Sequence, residues 1–334
     1  MKNSKTLFYV GLAVMCLLVI PILSCSDGDT NPAGTVNQTP LTQQNAAQAI
    51  AGVAMAKDTL SFAEGFLDLG LMDGLPTMMV SQQMKYPTAG NLIYKAFTLG
   101  EKSLNTGPLK KVGRIEGSSG CSGGGSLSIS MSWDGPDAPE YAYEIVDLQL
   151  SADFNNCKED TLTMDGSMDI NFTGPLDAFT DVGLYLDLSY EDPSEDIDIA
   201  MNDFSMAMAG DFEAESMNYM LDGNVTGYLN SESIDIGYDE YFVALSTVED
   251  DVYMTMSGGI NPPCINAWLT VTTNSPIVIH SYDDCPTAGD VSISSGGNTA
   301  GAVFQSNYQI DIYYNGALVD TLNSCDDFDG MCTT

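Results

Sequence analysis

The sequence holds one histidine, two tryptophans and only ten lysines and arginines in 334 residues. Each scarcity removes a class of function. Ten basic residues against 46 acidic ones leave a formal net charge of −36. A polyanion of that kind repels phosphate backbones, which excludes nucleic acid as a partner. No Lys or Arg follows Lys158, and the chain beyond it carries 32 of the 46 acidic residues. The single histidine, His280, leaves little room for imidazole metal sites or proton relays. No CxxC pair is present, which argues against zinc sites. A lone strand histidine reads as a surface or packed residue. The glycine-rich "CSGGGS" at Cys121 precedes a strand pattern, whereas a phosphate cradle needs a helix N-terminus. It reads as a turn.

Long apolar runs are also missing, with one exception. Lys2 and Lys5 give a positive start, and Leu7 to Leu23 is almost wholly apolar, the order of a secretory signal. That run of about 17 residues lies at the lower edge of what spans a bilayer, and no basic stop-transfer cluster follows. Instead Ile22-Leu23-Ser24-Cys25 resembles the bacterial lipobox: apolar at −3, small at −1, then cysteine. Leu23 at −2 departs from the commonest choice there. The resemblance covers only the first 25 or so residues. It implies that the Cys25 sulfur takes a diacylglycerol, that residues 1–24 are removed, and that the freed amine is acylated. Two or more acyl chains anchor stably. The partner so implied is a membrane, most readily the outer membrane, since Ser26 replaces the Asp of inner-membrane retention. A cleaved signal with an incidental cysteine, or a retained anchor, are the other readings of the run. Residues 25–38 are polar and read as a flexible tether reaching about 20 Å.

With Cys16 in the signal and Cys25 assigned to lipid, six cysteines remain: Cys121, Cys157, Cys264, Cys285, Cys325 and Cys332. An even set in an exported chain reads as disulfides. Folding "SLSISMSW" onto "YEIVDLQLSADF" about residues 137–139 brings Cys121 opposite Cys157. Folding "INAWLTVTT" onto "PIVIHSY" about Asn274-Ser275-Pro276 brings Cys264 opposite Cys285, leaving Cys325 for Cys332. The alternative joins Cys285 to Cys325 and Cys264 to Cys332.

Two periodicities divide the chain. Thr39-Pro40 reads as an N-cap with Pro at N1. The alanine-rich stretch after it places Ile50, Val53, Ala54, Leu60 and Phe66 at helical spacing, ending near Gly70. Residues 89–104 also lean helical. From Ser126 the period becomes two, as in "VGLYLDLSY" and "YQIDIYYNG", with turn residues about every 8–12 positions. That pattern predicts about 12–16 antiparallel strands with one apolar and one wet face. Asn315-Gly316 is a strong hairpin signal. The expected fold is mainly β with an N-terminal helical segment: a curved antiparallel meander, half-barrel or barrel, packed on helices. Its parts are a helical segment over 39–105, a β body over 106–259 and a smaller disulfide-stapled β unit over 260–334. An outer-membrane barrel also alternates, but the runs here are often shorter than lipid-facing strands require.

Candidate sites are few. Asp326, Asp327 and Asp329 in "DDFDG", and the acids of Tyr190–Asp198, cluster hard oxygens suited to calcium without EF-hand spacing. Among 46 acids, carboxylate pairs suited to glycoside hydrolysis arise by coincidence. Met206/Met208 and Met254/Met256 sit at strand spacing, which favours core filling over soft-metal capture. The general pattern resembles the uncharacterised β-rich envelope lipoproteins of bacteria, and that likeness implies no activity. The functional expectation is a non-enzymatic, lipid-anchored envelope protein with a structural or binding role and an envelope protein or apolar ligand as partner. The second is a carrier of an apolar ligand, similar in outline to periplasmic lipoprotein carriers. The third is an Asp/Glu-dependent extracytoplasmic hydrolase.

Overall fold

The computed structural model describes residues 40–54 and 112–331, apart from breaks at 137–138, 140, 177, 195, 212–215, 230–231, 250, 266, 281–282, 284 and 329–330. The expected helices beyond residue 54 lie outside the described residues. One helix, α1, covers Ala46–Ala54. Its start is set by a reciprocal cap: the Asn45 N–H donates to Thr42 Oγ1 and the Thr42 N–H donates to Asn45 Oδ1. This is a capping box with Asn in place of the usual acid. Among the described residues the cap is therefore at Thr42, two residues past the expected Pro40 start, and Thr39 lies outside them.

Strands β1 to β6 are Val112–Gly120, Gly124–Asp134, Val146–Glu159, Leu162–Thr173, Asp181–Asp192 and Ile197–Asp211. Strands β7 to β10 are Ser216–Leu229, Glu232–Val248, Asp251–Asn261 and Leu269–His280, and β11 to β14 are Ala288–Ser295, Asn298–Phe304, Ile310–Tyr314 and Ala317–Leu322. All fourteen belong to one meander ordered β1 to β14. The antiparallel meander forms as expected and is open, with β1 and β14 as edge strands, so of the half-barrel or barrel expected the closed form is not present. Two compact units divide the chain inside β6: one carries β1 to β6 up to Ala209, the other α1 and the chain from Gly210. Pairing continues across residue 260, since Ile260 of β9 faces Leu269 of β10.

In the first unit β2 to β6 each bury a largely apolar face. Met131, Leu148, Ile170, Leu186 and Phe204, one from each of β2 to β6, are 0% exposed. Side chains that retain no accessible surface border no water-sized hollow, so the face is filled at these positions. The outward face is short and polar. Three bulges keep the two faces apart over long strands. Each places two polar residues in succession on the outside: Asn155-Asn156 in β3, Asn202-Asp203 in β6 and Asp239-Glu240 in β8. The second residue takes a left-handed backbone, with φ of 45° at Asn156, 49° at Asp203 and 46° at Glu240. Without the extra residue, every apolar side chain beyond it would turn outward. Across from Glu240, Gly258 has φ 111°, and a Cβ there would sit 2.2 Å from the Glu240 carbonyl oxygen. Only glycine fits that approach.

In the second unit α1 packs on β12 and β13. Ala300 and Ala302 of β12 are buried, and their small side chains let the alanine-rich helix come close. Asn298 Nδ2 and the Tyr314 hydroxyl both donate to the Leu41 carbonyl, fixing the chain as it enters α1. The hairpin at Asn315-Gly316 forms as expected, with φ of 46° and 80°, the conformation a two-residue turn requires.

Candidate functional site

Cysteine chemistry is the clearest site information. Cys121, in the β1–β2 turn, bonds to Cys157 of β3, as the hairpin argument expects. Cys285 bonds to Cys325, which overturns the Cys264–Cys285 pairing and with it Cys325–Cys332. The reason lies in β10. Asn274-Ser275-Pro276 is not a turn but a bulged stretch inside one continuous strand, a setting that tolerates proline. Where the β9 ladder breaks, Thr273 Oγ1 bridges it, accepting from the Met256 N–H and donating to the Met256 carbonyl. Cys264 and Cys285 therefore lie beyond opposite ends of a strand roughly 35–40 Å long. Cys264 is also disulfide-bonded, to a residue outside the described set. Cys25 and Cys332 lie outside it too.

The calcium candidates are only partly placed. Asp326 and Asp327 sit in a 3-10 turn over Cys325–Phe328, and Asp329 lies outside the described residues. The Asp327 carboxylate accepts the Asn323 N–H at 2.7 Å, and the Asp326 N–H donates to Ser324 Oγ. These contacts cap a turn. In the Tyr190–Asp198 stretch, buried Asp192 accepts both the N–H and the hydroxyl of Ser194, again a local turn. Glu159 approaches Cys121 and Cys157, and Asp326 approaches Cys285 and Cys325, but sulfurs committed to disulfides cannot ligate a metal.

His280 ends β10 directly opposite Asp251, which opens β9, and its Nδ1 bonds the Asp251 carboxylate. That hydrogen bond raises the imidazole pKa above 6.5 against the opposing effect of desolvation, aided by the charges of Asp251 and Asp283. The pair is an exposed cross-strand clasp. Met206 and Met208 point into the core. The buried Tyr241 hydroxyl donates to Met256 Sδ at 3.2 Å, and burial pushes its phenol pKa up. A shallow pocket of about 250 Å³ opens beside Gln43, Gln44, Ile312 and Asp320, below the usual size of small-molecule sites.

One surface stands apart, and periodicity alone did not mark it. Trp133 is 1% exposed and its indole N–H donates to the Pro136 carbonyl, whereas Trp268 is 41% exposed. Trp268 precedes β10 and lies over Gly237 of β8. A methyl group on Gly237 would sit 3.1–3.2 Å from Cη2 and Cζ2 of the indole and 3.0 Å from Asn224 Oδ1. Gly237 faces outward, between inward Ile236 and Tyr238, yet is buried, because the indole covers it. Gly237 pairs with Asn224 of β7 on one side and Asn261 of β9 on the other. Asn261 Oδ1 is buried and accepts no hydrogen bond. On the same outward face stand Asp235 and, farther along, Tyr228, 48% exposed. The only sequence signal is an exposed-parity Gly in "SIDIGY" and an aromatic ahead of a strand. No protein-family model, curated protein or solved structure matches the chain.

Proposed function

We propose that this chain is an exported, lipid-anchored protein of the cell envelope with a binding or structural role rather than an enzymatic one. The observation that carries the reading is cysteine bookkeeping. Cys121, Cys157, Cys264, Cys285 and Cys325, all the described cysteines, are disulfide-bonded. Disulfides persist in oxidising compartments, which accords with a secretory start. Cys25 is then set apart by the lipobox-like Ile22–Cys25, with a polar tether after it. The outer membrane is the leading location.

The carrier reading is the weaker one, because the apolar side chains of β2 to β6 are buried. Metabolic labelling with palmitate tests the anchor. Wild-type protein incorporates label and partitions into detergent, whereas Cys25→Ala incorporates none and is recovered in the aqueous phase. Equal labelling of the two overturns the reading.

A further inference from the structure

We propose that the outward face of β7 to β9 is a binding site for a neutral oligosaccharide, with Trp268 as its stacking platform. Trp268 is a large apolar ring that keeps 41% of its surface exposed. Leaving part of such a ring in water forgoes part of the roughly 1.5–3 kcal/mol that full burial of a large side chain gives, so its placement calls for an explanation beyond packing. The ring is also held in place. Gly237 removes the side chain that would lift it, and the indole edge sits against the Gly237 backbone beside Asn224. One side of the ring is thus committed to the sheet, and the remaining surface faces solvent.

The surroundings select the ligand class. Asn224 and Asn261 flank Gly237 in a single cross-strand row. Asp235 stands two residues along β8, about 7 Å away, and Tyr228 belongs to a row about 13 Å away. Two exposed aromatics are therefore separated by amide and carboxylate groups. An apolar protein or lipid surface laid across them would strand those polar groups, at about 1–3 kcal/mol for each one left buried and unpaired. A pyranose chain does not. Its axial C–H faces stack on aromatic rings, while its equatorial hydroxyls reach sideways to amides and carboxylates. Asn261 Oδ1, buried without a donor, is an acceptor whose desolvation a sugar hydroxyl entering beside the indole would relieve. Charge narrows the class further. No Lys or Arg follows Lys158, so strands β7 to β14 carry no basic side chain to hold a uronate, sulfate or phosphate, and their acidic surface repels them. The ligand is a neutral glycan.

The site does not depend on the lipid anchor, so its test can fail while the anchor stands. Full-length protein in detergent is titrated with cellohexaose, chitohexaose, xylohexaose and mannohexaose, with polygalacturonate as the anionic control. Trp133 and Trp268 are the only tryptophans, and Trp133 is buried, so acrylamide quenching of selectively excited tryptophan emission reports chiefly on Trp268. At least one neutral hexaose is expected to protect Trp268 and shift its emission to the blue, with no effect of polygalacturonate. By calorimetry, Trp268→Ala then weakens that sugar at least tenfold, about what one lost aromatic stack removes. Tyr228→Ala, which alters only an exposed side chain, weakens it by a smaller factor and guards against misfolding of the first variant. Protection by none of the four sugars, preference for polygalacturonate, or unchanged affinity in both variants overturns the proposal.

Discussion

His280 shows how one side chain can carry opposite meanings. In sequence it is the only histidine, and so the only imidazole available for catalysis. In the fold it closes the end of the β9–β10 ladder against Asp251. Its pKa is raised first by that hydrogen bond, then opposed by desolvation, then aided by the charges of Asp251 and Asp283. The sign of the linkage follows. A group whose folded pKa lies above its unfolded value of 6.5 stabilises fully below that value. The contribution is lost as pH rises through the folded pKa. Because the histidine is unique, its imidazole C–H resonances need no assignment. A proton NMR titration of wild type should give a midpoint above 6.5, and Asp251→Asn should bring it back toward 6.5. The variant should also lose the extra stability that wild type shows at acidic pH relative to alkaline pH. A midpoint indifferent to Asp251→Asn would show that the clasp does not form in solution.

At the scale of elements, what was legible in the sequence depended on whether a polar interruption means a turn or a bulge. Asn315-Gly316 could be read because that dipeptide adopts two positive φ angles cheaply, and it does. The Cys121–Cys157 bond could be read because a true hairpin centre lies between β2 and β3. Asn274-Ser275-Pro276 could not, because the same residue types serve equally in a bulge, and only pairing with β9 and β11 decides. Asn155-Asn156, Asn202-Asp203 and Asp239-Glu240 each broke the period of two by one residue. That break is visible in sequence but is easily taken for a strand end. The Trp268 surface was hidden for a related reason: its platform needs Gly237, a residue distant in sequence, to lie beneath the ring. Strand pairing also gives the disulfides their weight. Cys121–Cys157 closes 36 residues of chain and ties the β1–β2 turn to β3. The chain-entropy relation assigns such a closure about 3–4 kcal/mol. Replacing both cysteines by alanine should lower the unfolding free energy of the β1–β6 unit by that amount in a denaturant titration. A change below about 1 kcal/mol would mean that the reduced chain keeps the turn in place unaided.

For the whole molecule, the question is how a chain of net charge −36 folds at all. The middle of the β3–β5 sheet supplies part of the answer. Asp153 faces Ser128 and Ser167, Asp169 faces Ser151 and Tyr185, and Asp187 faces Ser167. No acid in this set stands directly opposite another. Within this set like charges meet only on diagonals, about 7–8 Å apart, where water and ions enter between them, whereas Glu191 and Asp198 at the end of β5 and β6 do stand opposite. Repulsion is thereby reduced but not removed, and what remains is of the kind that salt screens. The screening length falls from about 10 Å at about 0.1 M to about 3 Å at about 1 M, so it crosses the diagonal spacing within that range. Raising NaCl over this interval should therefore raise the thermal midpoint, by about 2–4 °C for each kcal/mol of repulsion relieved. The same experiment separates a diffuse field from a built cation site. The Asp327 carboxylate already accepts a backbone N–H and the buried Asp192 is turned onto Ser194, so a field is the expected answer. Calcium chloride at matched ionic strength should then act as sodium chloride does, and a chelator should leave the midpoint unchanged. A saturating rise at calcium concentrations too low to alter ionic strength would contradict this, and would place a cation among the carboxylates of Tyr190–Asp198 or Asp326–Asp329.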